Sequence, residues 1–399
     1  MTTPGAGARP VRPWYALAAV VFAVGMAGTT LPTPLYGLYR QQLGFSEFMV
    51  TVVFAVYACG VITALLIAGD FSDLLGRRPV LLAGLGFSAL SAVCFVSEGG
   101  LPLLFVGRLL SGFSAGLFSG AGTAAVTELA APAQRGRAAL AATAANMGGL
   151  GCGPMLAGVL AQYAPYPLRL PYLVHLGLLA VSCAIVWRLP ETVRRRDPRP
   201  RLRPQGMAVP AQVRGVFAPA ALAAFAGFSV LGLFTAVAPS FVAEYLGVHN
   251  LAVSGAVVLS VFLASMVGQS LMGRFGAARS LPLGCLVLMA GLVLIGCSLL
   301  AESLGLLVAG AVVSGVGQGL AFRGAVATVS RVAPAEQRGA TISALFVAAY
   351  VGIALPVVGI GAVAVGVGLR SAGLIFVACV IAMSGTVAAY LLRRPLPSQ

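Results

Sequence analysis

Arg108 stands inside an apolar run of the chain. A guanidinium does not give up its proton in a protein. A permanent charge in such a run must face a protein interior or water, or else snorkel to the end of its segment. Arg108 is near the start of its run, so both outcomes are open from spacing, and we expect the interior one. The other charged chemistry is sparse. Ten carboxylates exist, Glu47, Asp70, Asp73, Glu98, Glu128, Glu191, Asp197, Glu244, Glu302 and Glu336, and none falls near the middle of an apolar run. A proton carrier needs a pKa tuned by burial, which leaves Asp70, Glu128, Glu47 and Glu244 at segment ends as the nearest candidates. His175 lies in an apolar run and reads as a hydrogen-bonded packing histidine. The seven cysteines sit in apolar runs without CxxC or Cys/His spacing, and read as small core residues. Asp70 and Asp73 form one acidic pair beside two arginines, a poor magnesium site. The chain has no lysine and no GxxxxGK[ST] loop, which excludes an ATP-driven pump within it.

Composition says what kind of scaffold holds these groups. Of 399 residues, 59% are hydrophobic and 9% charged, with mean hydropathy +0.98. Soluble domains carry about 25% charged residues, so a water-soluble enzyme and a disordered chain are both excluded. Crossing a bilayer takes about 20 helical residues. Apolar segments fall near 14–38, 46–69, 79–98, 101–128, 138–163 and 170–189, then near 217–243, 250–273, 281–301, 304–330, 340–365 and 369–392. The first is preceded by Arg9 and Arg12 like a signal peptide, but its length and its Pro32, Pro34 and Tyr36 make it a span. The expected architecture is all-α, with twelve spans in two halves, 1–189 and 217–399, joined by a polar linker, 190–216.

Arginine placement orients these spans. Twenty of 25 arginines fall on one side, Arg40, Arg169 and Arg370 on the other, and Arg108 and Arg323 within segments. By the positive-inside bias both termini are cytoplasmic. The net charge of +15 is then a topology signal and not a nucleic-acid footprint. The partners expected are the bilayer and a small molecule. The halves also repeat: shifted by 203 residues, Ser111-Gly112 falls on Ser314-Gly315, Gly116-Leu117 on Gly319-Leu320, and Arg135-Gly136 on Arg338-Gly339. Repeated halves place a binding site at the midplane between them. Tyr36, Arg108, Asn146, Phe234, Gln269 and Gln318 are the polar or aromatic residues expected to line it.

Three motifs sharpen the picture. The loop between spans 2 and 3 holds Gly69, Ser72, Asp73, Gly76, Arg77 and Arg78, with Phe71 at the third position. Gly76 permits a tight turn, and Asp73 is a short carboxylate suited to a helix N-terminus. The fourth span begins with Arg108-x-x-x-Gly112, followed by Gly116 and Gly120 on one face. The fifth carries Gly149-x-x-x-Gly153-Pro154-x-x-Ala157-Gly158, a bendable, closely packing run. Together these resemble the major facilitator superfamily over nearly the whole chain. The loop is similar to its G-x-L-A/S-D-x-x-G-R-R/K signature, with Phe71 for the usual Leu. The fourth span resembles its helix-4 motif, with Ser111 for the usual Gln. The fifth resembles its antiporter motif, with Ala157 for one Gly.

The resemblance implies a carrier without enzymatic activity or bound cofactor, exporting a drug-like or amphipathic molecule and driven by the proton gradient. It implies a bacterial inner membrane and a functional monomer. It also implies a cytoplasmic latch, in which Asp73 meets the start of the eleventh span and Arg77 pairs with Glu128. Uptake or facilitated diffusion of a metabolite is the alternative, and a non-transporting receptor or scaffold a remote one.

Overall fold

A computed structural model describes residues 14–68, 71–193 and 207–393. Every regular element among them is helical, and none is a strand. The first span is α1 (Trp14–Thr30), a 3-10 turn at Thr33–Leu35, and α2 (Tyr36–Leu43). The break coincides with Pro32 and Pro34, which donate no N–H to a helix. Then come α3 (Glu47–Ala68), the short α4 (Phe71–Leu75), α5 (Arg77–Val96), α6 (Gly100–Glu128), α7 (Arg135–Tyr163) and α8 (Leu170–Arg188). The seventh span is α9 (Arg214–Gly232), a π-turn at Leu233–Val237, and α10 (Ala238–Glu244). The next three are α11 (Leu251–Phe275), α12 (Ala277–Ala301) and α13 (Leu304–Val332).

The last element, α14 (Arg338–Arg393), contains two spans, because at Gly368 the backbone turns to φ 81° and ψ 158°. That break falls in the gap the hydropathy leaves between 365 and 369. Among the described residues, the eleven continuous apolar runs therefore make twelve crossings. Most of the polar linker, with Arg194 to Arg203, lies outside the described residues, as do Gly69 and Asp70.

Small residues set the distances between helices. A Cβ on Gly112 would strike the Tyr57 carbonyl oxygen and stand 2.9 Å from the Cα of Gly60. One on Gly116 would lie 2.5 Å from the Cβ of Ala64, so α6 rests on α3 nearly backbone to backbone. The second half repeats this: a Cβ on Gly315 would lie 2.5 Å from the Val261 carbonyl and one on Gly319 would strike that of Ser265, which seats α13 on α11.

The halves meet along two seams, α7 with α11 and α3 with α14. In the first, Gly158 abuts the Leu251 carbonyl and a Cβ on Gly255 would lie 2.5 Å from that of Pro154. Nearer the middle, one on Gly151 would lie 2.8 Å from Leu259. In the second, Gly361 abuts Thr51, and the rings of Tyr57 and Tyr350 meet edge-on at 6.3 Å. These contacts run from mid-span to the end away from the arginine-rich loops.

The cysteines depart from expectation. Only Cys285 is buried, Cys94 and Cys183 are partly so, and Cys59, Cys152, Cys297 and Cys379 are exposed; all seven are free thiols. Lipid is as apolar as a helix interface, so an apolar run does not mark its packed side.

Candidate functional site

Where the middles of the spans meet lies a narrow cavity of about 50 Å³, smaller than the usual small-molecule site and lined by both halves. The first half contributes Thr29, Thr30, Phe54, Tyr57, Arg108, Asn146 and Met147. The second contributes Phe228, Thr235, Phe262, Phe322, Phe346, Tyr350 and others that are apolar. Arg108 is 1% exposed and is the largest fully buried side chain. It turns inward and does not snorkel. Its Nη1 donates to the Thr29 carbonyl at 2.6 Å and its Nη2 to that of Phe54 at 3.4 Å. The guanidinium carbon stands 4.7 Å from the centre of the Tyr57 ring and 5.1 Å from that of Phe54. Among the described residues its Nε finds no acceptor, and Oδ1 of Asn146 finds no donor.

Aromatic rings continue from this cation into the other half. Tyr350 meets Phe228 at 5.7 Å, Phe228 meets Phe322 at 5.0 Å, and Phe322 meets Phe346 at 5.6 Å. The cavity thus has a charged and polar side made by the first half and an aromatic wall made by the second.

Of the six residues expected here, the structure brings Arg108 and Asn146 together and places the other four elsewhere. Tyr36 lines a separate recess at the end opposite the arginine-rich loops, with Arg40, Gln162 and Glu244. Phe234 points into an apolar pocket behind the seventh span. The π-turn holds one more residue per turn than an α-helix and rotates Phe234 away while presenting Thr235. Gln318 accepts from Ser265 at 2.5 Å, and Gln269 donates to the same hydroxyl at 3.4 Å, so both belong to the α11–α13 contact. The cavity aromatics escape sequence reading because helices apolar all round show no face. His175 is buried and sits 3.1 Å from the Ser88 hydroxyl, a packing contact.

The glycines of the fifth span divide between two jobs. A Cβ on Gly149 would lie 2.5 Å from the Ala23 carbonyl and one on Gly153 would strike that of Ala27, so both face α1. Pro154 and Gly158 face α11 across the halves.

At the arginine-rich end, Arg77 grips Glu128 with two N–H groups, Nε at 3.0 Å and Nη2 at 2.7 Å. Its Nη1 also reaches Asp73 at 2.5 Å and the Ser72 hydroxyl at 2.6 Å. Asp73 is 63% exposed, and the pairing shown for it is with Arg77 in its own half. Gly76 has φ 107°, and a Cβ there would sit 2.6 Å from a Glu191 oxygen. The positive φ is what demands glycine, since the Glu191 side chain could shift aside. The Glu191 carboxylate accepts from the backbone N–H groups of Arg77 at 2.8 Å and Arg78 at 3.0 Å, capping α5 where its dipole favours an anion. Arg78 donates to the Trp187 carbonyl at 2.7 Å. Glu191 and Thr192, which donates to Glu128 at 2.5 Å, tie the start of the linker to this loop. Nothing local in the sequence marks Glu191 for this role, because its partner helix is over a hundred residues away.

At the other end, Arg40 bonds both Glu47, in its own half, and Glu244 of the other half, the latter at 2.7 Å. Tyr163 accepts from Asn250 at 3.0 Å, and Gln162 accepts from the backbone N–H of Leu251 at 2.8 Å. The remaining arginines of this end are paired as well, Arg169 with Glu98 and Arg370 with Glu302. Gln42 and Arg169 donate to Glu98 and hold its carboxyl below the usual carboxylate range.

Two half-bundles with a shared central cavity define a membrane carrier, not an enzyme. The chain belongs to the Major Facilitator Superfamily, whose profile matches residues 17–355. Over 86 residues it is 43% identical to multidrug resistance protein MdtL of Salmonella schwarzengrund, and over 85 residues 39% identical to that of Klebsiella pneumoniae strain 342. Each match covers 21% of this chain and 21% of the relative. A bacterial homologue of the human lysosomal transporter Spinster, inward-facing and unoccupied, superposes with TM-score 0.72 at 14% identity, covering 98% of this chain and 100% of that one. The human organic anion transporter MFSD10 superposes with TM-score 0.66 at 17% identity, covering 95% and 100%. At these identities the likeness is one of fold.

Proposed function

We propose that this chain is a secondary active exporter of a small amphipathic organic molecule, working by alternating access in a bacterial cell membrane and driven by the proton gradient. The observation that carries the reading is the mid-span cavity walled by both halves. Repeats that rock about such a site expose it to one side at a time. One chain supplies the whole cavity, so the monomer is the working unit.

Orientation rests on charge. The three arginines of one end are each paired with an acid, while Arg135, Arg137, Arg274, Arg279 and Arg338 stand exposed at the other. On the positive-inside bias the exposed set is cytoplasmic. The linker and both termini then lie in the cytoplasm, and the seams described close the cavity to the outside. Export is favoured by the glycine–proline run of α7, which forms one of these seams, and by the stretch shared with multidrug resistance proteins. Among the proton candidates, Glu47 and Glu244 share Arg40 across the halves, a pairing that alternating access must break.

Accumulation of fluorescent amphiphiles in cells with and without the protein tests the direction. Lower accumulation in expressing cells, abolished by an uncoupler, is expected. Higher accumulation would refute export, and insensitivity to the uncoupler would refute the proton drive.

A further inference from the structure

We infer that the molecule bound in the central cavity is an organic anion: an aromatic or otherwise apolar body carrying one carboxylate-like group that pairs with Arg108. The inference rests on the reading of this cavity as the substrate site, and adds the chemical class of what enters it.

A guanidinium has five N–H donors in a planar fork suited to a carboxylate. Arg108 spends two on backbone carbonyls, and its Nε–H has no acceptor among the described residues. Among the described residues no acidic side chain pairs with it, unlike Arg40, Arg77, Arg169 and Arg370, which all have carboxylate partners. A buried charge left with carbonyl dipoles and ring faces is costly to keep. A second polar group on the same wall, Asn146, also has an unused oxygen, and turning its amide over presents an NH2 there instead. The opposite wall, with Phe228, Phe322 and Phe346, carries no charge and accepts an apolar body. The anion therefore anchors in the first half and its body lies against the second, so that binding bridges the parts that must move. A cation would meet only Arg108 as a charged group, and would be repelled.

The test is isothermal titration calorimetry on the full chain in neutral detergent with four probes: 2-naphthoate, 2-naphthalenemethanol, 2-naphthylmethylammonium and acetate. Naphthoate should bind roughly 10-fold or more tightly than the alcohol, the return expected from one charge-assisted pairing, with the ammonium and acetate weaker still. Arg108→Gln should erase the difference between naphthoate and alcohol, and Phe322→Ala should weaken both while keeping their ratio. Equal or reversed ranking of acid, alcohol and ammonium by the unmodified chain, absence of binding by all of them included, overturns the inference without depending on any variant. Acetate binding as tightly as naphthoate overturns the two-walled site. Equilibrium binding does not depend on transport. Carboxylate selectivity without vesicle flux would leave this inference standing and sink the exporter reading, while flux of neutral amphiphiles without selectivity would do the reverse.

Discussion

The fourth span of each half invites comparison. Gly112 and Gly116 of α6 fall, 203 residues on, upon Gly315 and Gly319 of α13, and both pairs press against the backbone of the span that precedes them by two. One turn earlier the match fails: Arg108 in the first half corresponds to Ala311 in the second, and both are buried. The third spans behave likewise. Gly76 and Gly276 both start a helix with positive φ, at 107° and 74°, but only the first faces a carboxylate, that of Glu191. Architecture is thus duplicated through residues that lack side chains, and chemistry is confined to one copy. A two-fold site would bind symmetrically; this one is charged on one wall and aromatic on the other.

The most damaging way to challenge the duplicated part is to fill it. Gly112→Leu and Gly315→Leu should each deplete folded protein severely. Their new side chains meet backbone that cannot yield, where even tolerated overpacking costs about 1–3 kcal/mol. Monodisperse yield on size-exclusion chromatography reads this, and a marked difference between the two would show that the halves are not packed alike.

The unduplicated part should separate next. Arg108→Gln should cut vesicle flux roughly 10-fold or more. Ala311→Ser should leave it within about 2-fold, because a helical serine bonds its own preceding carbonyl. Similar losses in both would mean that α6 has no special role.

Smaller effects are expected at the helix starts. Glu191→Ala removes the acceptor for two backbone N–H groups and should lower stability by about 1 kcal/mol, seen as an earlier thermal unfolding in detergent. Among the described residues no side chain caps the equivalent start at Gly276, so Ser280→Ala should cost less.

The smallest effect should come from Asp73→Asn. Its exposed pairing with Arg77 lies within one half and is worth about 0.3–0.5 kcal/mol, so spin-label distances between the arginine-rich end of α3 and the start of α14 should barely move. A shift exceeding that of Glu128→Gln would reveal that Asp73 gains a second partner, the first turn of α14, in the opposite state.

The twelve crossings, their grouping by six, the repeat and the uneven charge of the two ends are legible in the order of residues alone. These follow from length, hydropathy and spacing, which act locally and survive without knowledge of contacts. It also marked Arg108, because a charge in an apolar run stands out wherever it points. Which way it points was settled only by the tertiary structure. So were the aromatic wall, the outward turn of Phe234, the pairing of Arg40 with Glu244 and the capping of α5 by Glu191. In a membrane the packed, lipid-facing and cavity-facing sides of a helix are all apolar, so periodicity carries no facing signal. A polar partner a hundred residues away leaves no mark on local pattern, and only the folded chain brings it within hydrogen-bond reach.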